Sequence, residues 1–211
     1  MHIFYFIKIQ EFETIFCGFR LSNRVLCTIF ALCQLLVSIA SFLQHIYSWI
    51  AFRTVFHCRS NVATNATLGT RFLANDIVIF DFGLMHRILG TTECVANYLD
   101  GGYMRCSWCI QHTVAMIILL ACLACIPRPA WLLWPALFMQ STYVLGMAIL
   151  SMAIAPKMLD ALTGVVDHEL SIAIGAYCVG VSFNWLFTFI LWHYYWGVEL
   201  RQDQLQAVRA A

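Results

Sequence analysis

Four long stretches of the chain carry no Asp, Glu, Lys or Arg. They run from Val25 to Tyr47, from about Trp108 to Ile126, from about Ala130 to Ala155 and from Ser171 to Trp196. A helix rises about 1.5 Å per residue, so roughly 20 apolar residues cross a hydrocarbon layer of about 30 Å. Each stretch is therefore a candidate transmembrane helix. Pro127 ends the second, because a proline ring removes a backbone donor and clashes with the preceding turn. Only Pro127-Arg128-Pro129 separates it from the third, which carries Pro135 in its first turns and is expected to close at Pro156. The fourth ends in Trp192, Tyr194, Tyr195 and Trp196, an aromatic belt of the kind that marks a membrane surface. The pattern predicts an all-α membrane protein, a four-transmembrane-helix bundle over residues 25–197.

The segment 1–24 is too short to span, and Lys8, Glu11 and Glu13 stand on the wrong side for a cleavable signal. Phe4, Ile7 and Phe12 can share one side of a short interfacial helix. The alternative is an extension with no structural role. A tail, 198–211, follows the fourth span.

Composition fits the pattern: 62% of the 211 residues are hydrophobic and 11% charged, against about 25% charged in a soluble domain. A net charge of +1 supplies no field for nucleic acid, which is set aside as a partner. Arg20, Arg24, Arg128, Arg201 and Arg209 fall on one side if both termini are cytoplasmic, as basic residues near span ends do. The short loop 157–170, with Asp160, Asp167 and Glu169, then lies outside, as does the long loop 48–107 between the first two spans.

That loop region holds Cys58, Cys94, Cys106 and Cys109 on the side assigned to an oxidising compartment, so two structural disulfides are expected, with connectivity open. Asn65-Ala66-Thr67 is a glycosylation sequon in the same loop. Cys106-Ser107-Trp108-Cys109 is also a CxxC at a helix start, where the dipole favours a thiolate. Its placement resembles that in the quinone-dependent thiol oxidases of bacterial membranes, four-span proteins with a CxxC opening the second span. The resemblance implies Cys106 and Cys109 as catalytic residues and a quinone as cofactor. Those enzymes carry a second cysteine pair in the second outer loop, and 157–170 has none. On the leading reading there is no cofactor and no metal.

Within the spans, Gln34, Gln140 and Asn184 must find partners inside the bundle, since lipid offers none. Ser171 with Gly175 and Ala176 with Gly180 are small residues at the spacing that lets helices approach. His45 and His112 are read as polar tips that could face one another. Cys17, Cys27, Cys122 and Cys125 are candidates for palmitoylation, or pack as small apolar residues.

Cys17-Gly18-Phe19-Arg20 ahead of the first span, Arg128-Pro129-Ala130-Trp131-Leu132-Leu133-Trp134-Pro135 with Gln140 after it, and the aromatic end Trp192 to Trp196 together resemble the lysosome-associated four-span transmembrane family and its nematode and insect relatives. The resemblance implies four-span topology with cytoplasmic ends, plasma or endolysosomal membrane residence, and a role in handling other membrane proteins or lipids. The loop is longer than is typical there, and the tail lacks the proline-tyrosine motifs that recruit ubiquitin ligases. The expected function is that of a non-enzymatic accessory, trafficking or scaffold subunit, partnered by the bilayer and another integral membrane protein. The alternatives are a thiol-disulfide oxidoreductase and an adhesion protein of the claudin type, whose loop signature is missing around Trp49 and Cys58.

Overall fold

The computed structural model describes residues 2–4, 7–55, 102–124, 130–163 and 168–210. Four short strands come first: β1 (His2–Phe4), β2 (Ile7–Ile9), β3 (Glu13–Phe16) and β4 (Phe19–Ser22). Four helices follow: α1 (Asn23–Phe52), α2 (Tyr103–Ala124), α3 (Trp134–Thr163), preceded by a 3-10 turn at Ala130–Leu133, and α4 (His168–Ala210). All four are long and apolar enough to cross a membrane.

The strands form an antiparallel meander in the order β1-β2-β3-β4, where an interfacial helix or a structureless extension was expected. Its cause is local. Ile7 and Ile9 are buried on either side of a half-buried Lys8, the period-two pattern of a strand. Cys17 and Gly18 both have positive φ (47° and 89°), as a two-residue hairpin turn between β3 and β4 requires. Asn23, the first residue of α1, ties the sheet to the helix. Its Nδ2 donates to the Gln10 and Glu11 carbonyls at 2.6 and 3.2 Å, and its Oδ1 accepts from Thr14 Oγ1 at 2.6 Å.

The helices carry their polarity inside out relative to a soluble protein. Along α1 the buried positions are Asn23, Cys27, Phe30, Ala31, Gln34, Ser38, His45 and Ser48, one stripe at three- and four-residue steps. Val25, Ile29, Leu32, Leu36, Ile39, Leu43, Ile46 and Ile50 are all exposed. Water would penalise that surface and lipid does not. Along α2 the buried stripe is Arg105, Cys109, His112, Met116, Leu119 and Leu123.

Helix limits differ from the expected spans in physically legible ways. Pro135 sits in the first turn of α3, where its missing N–H costs nothing. Pro156 lies inside α3, which continues to Thr163; helices in apolar surroundings tolerate proline where neighbouring groups satisfy the freed carbonyl. The 43 residues of α4 run on through the expected tail, a length of about 65 Å.

Contacts divide the chain into two compact units. The first takes residues from Met1–Leu36, His112–Val144 and Phe183–Ala211. Ile7, Ile9, Phe30, Met116, Leu119, Leu137, Phe187 and Ile190 share its core, with Phe30 stacked on Phe187 at 5.4 Å and edge-on to Phe183 at 4.5 Å. Arg24 donates from Nε and a terminal nitrogen to the Leu123 carbonyl at 3.0 and 2.7 Å, covering the end of α2. The sheet meets α4 where Gly197 lies under Phe12, with the Arg201 guanidinium 4.0 Å from the same ring. The second unit takes residues from Val37–Gln111 and Leu145–Ser182. There, Tyr177 Oη donates to the Met147 carbonyl at 3.0 Å and lies 3.3 Å from Ser151 Oγ, joining α4 to α3.

Candidate functional site

In the second unit the end of α1 meets the start of α2 around a set of polar side chains. The chain leaves α1 through Arg53, whose positive φ (58°) is the left-handed residue that often ends a helix. His45 Nδ1 donates to the Val55 carbonyl at 2.9 Å and Ser48 Oγ to the Thr54 carbonyl at 2.9 Å, so buried polar groups of α1 hold the turn that follows it. Gly102, with φ 88°, accepts from the Cys106 N–H at 3.0 Å and closes the first turn of α2.

That turn sets Arg105 and Cys109 one above the other on the face toward α1. Both are buried, at 5% and 0% exposure. Ser41 Oγ accepts from an Arg105 terminal nitrogen at 3.3 Å and from Cys109 Sγ at 3.4 Å. Cys106, three residues before Cys109, is partly exposed. Both cysteines are free thiols. Cys58, Cys94 and Asn65, the other expected disulfide and glycan positions, lie outside the described residues.

Ser41 and Arg105 escaped the sequence reading. Arg105 looks like a loop residue when the span is started at Trp108, and the helix starts five residues earlier. The usable signal is spacing: Arg105, Cys109 and His112 are one helical face, and Ser38, Ser41, His45 and Ser48 are another. His45 belongs to the second unit and His112 to the first.

A second polar group lies in the first unit. Asn184 Oδ1 accepts from Gln34 Nε2 and, at 3.0 Å, from Gln140 Nε2. One acceptor thus joins α1, α3 and α4, and the three amides singled out in the sequence find one another. His112, 1% exposed, lies with its ring 5.7 Å from that of Tyr143. Trp192 Nε1 donates to Ser141 Oγ at 3.1 Å, and Trp134 stands edge-on to Trp192 and Tyr195 at 6.3 and 5.8 Å.

On α4, Gly175, Cys178, Val179 and Ser182 share an exposed face. A Cβ at Gly175 or at Gly180 would meet nothing within 4 Å among the described residues. The side chains of Ser171 and of the Asp167-His168-Glu169 run are outside the described set.

No curated protein and no solved structure matches the chain. A family model does match, over residues 6–203, which takes in strands β2 to β4, α1 to α3, most of α4 and the polar cluster at the start of α2: the chain belongs to a family of unknown function, DUF8774.

Proposed function

We propose that this chain is an accessory, trafficking or scaffold subunit that packs against a second integral membrane protein. The observation that carries the reading is the exposed face of α4. Apolar helices gain little by associating in lipid unless their backbones approach closely, which small residues permit. Gly175, Cys178, Val179 and Ser182 offer such a face, and no described part of this chain fills it.

The basic residues near the span ends support an orientation with both termini cytoplasmic and the 48–107 region outside. The resemblance to lysosome-associated four-span proteins favours the plasma or endolysosomal membrane. Digestion of terminal tags in sealed vesicles reads the orientation directly, and a glycosidase-sensitive mass shift lost in Asn65→Gln checks the side of the loop.

The partner is tested by solubilising the native protein in mild detergent and isolating it. A larger membrane protein should co-purify in fixed proportion, and Gly175→Leu with Ser182→Leu should lose it while leaving the thermal transition of the isolated chain unchanged. A reproducible monomer with no companion, or a companion indifferent to both substitutions, overturns the proposal.

A further inference from the structure

We propose that Cys106 and Cys109 form a redox-active dithiol that exchanges with a protein or peptide disulfide, with Ser41 and Arg105 as positioning residues. The inference goes beyond the partner-helix reading and does not depend on it. Its basis is a division of labour between the two thiols. They stand three residues apart in the first two turns of α2, close neighbours on the helix surface. Cys106 is partly exposed, so a bulky disulfide can reach it. Cys109 is fully buried and meets only what Cys106 has already captured. Arg105 stands one hydroxyl away from Cys109, through Ser41. A nearby cation favours the thiolate, and a hydroxyl that accepts from a thiol can rotate to donate to a thiolate.

The exchange balances as follows. Cys106 gives its proton to solvent, and its Sγ attacks one sulfur of the incoming disulfide. That S–S bond breaks, a mixed disulfide forms, and the first partner thiolate leaves, taking the Cys109 proton. Cys109 Sγ, with Ser41 donating to it, then attacks Cys106 Sγ. The second partner thiolate leaves and takes a proton from solvent. The partner disulfide has gained two electrons and become two thiols, and Cys106–Cys109 has become a disulfide.

The full chain in detergent, equilibrated with oxidised glutathione as probe and mapped by mass spectrometry after alkylation, tests this. Wild type should show Cys106 joined to Cys109. Cys109→Ser should instead hold one glutathione on Cys106, and Cys106→Ser should carry none on Cys109. Ser41→Ala should lengthen the life of the mixed disulfide about tenfold, the effect of one hydrogen bond to a charged group, and Ser41→Thr should restore it. Cys106 and Cys109 that stay fully alkylatable throughout overturn the proposal. So does native protein in which either cysteine is locked to Cys58 or Cys94. A Ser41→Ala chain that resolves at the wild-type rate removes the role given to Ser41 and Arg105.

Discussion

A methyl group in place of the Gly197 hydrogen would put a carbon 2.8 Å from Phe12 Cε1 and 2.9 Å from the Glu11 carbonyl oxygen. The ring can turn aside, but the carbonyl belongs to a backbone that Asn23 holds by a 3.2 Å hydrogen bond. Alanine gains about 1 kcal/mol of helix propensity over glycine, and overpacking of this kind costs about 1–3 kcal/mol. Gly197→Ala should therefore lower the thermal transition in detergent, whereas Gly175→Ala, which meets nothing, should hold or raise it. Asn184 offers a second residue-scale test. Asn184→Leu strips two buried amides of one shared acceptor, and unsatisfied buried groups cost about 1–3 kcal/mol each. Replacing Gln34 and Gln140 by leucine in the same chain removes the orphaned donors. The triple variant should unfold at a higher temperature than Asn184→Leu alone; equal transitions would show that the amides do not depend on one another.

At the scale of elements, the four helices were legible because an uncharged run of about 20 residues has few other uses. Their ends were less so. Helix α2 begins before Trp108 because Gly102 supplies a positive φ and the carbonyl that accepts from the Cys106 N–H in the first turn, and neither is visible as hydrophobicity. Concealing that start also concealed Arg105, so the candidate site was legible only as its two cysteines. The sheet was hidden for a different reason. Strands of three or four residues give too few alternations to distinguish a period of two from a helical face, and the informative signal, Cys17-Gly18 at a two-residue turn, was absorbed into a family resemblance. Pro156 shows a rule carried too far: proline ends helices reliably in water and less so in the interior of a membrane protein.

Taken whole, the molecule inverts the soluble pattern, with Gln34, Ser38, His45 and Ser48 inward on α1 and Leu32, Leu36, Ile39 and Leu43 outward. Leu36, near the middle of α1 and 68% exposed, provides a direct test. A surface substitution to lysine in a soluble protein is nearly neutral, but at the centre of a spanning helix it costs about 2.5–3.5 kcal/mol. Leu36→Lys should reduce the fraction of chains in which α1 is inserted, measured with a glycosylation reporter beyond it; full insertion would mean that this face does not meet lipid. The inverted stripe also sets an order of events. Gln34 finds its acceptor on Asn184, 150 residues later in the chain. At about 5–20 residues per second, the first span waits roughly 8–30 s in the bilayer with its amide unmatched until the last is made. The first unit cannot be completed while the chain is growing, and during that interval α1 is open to whatever polar group a companion protein presents.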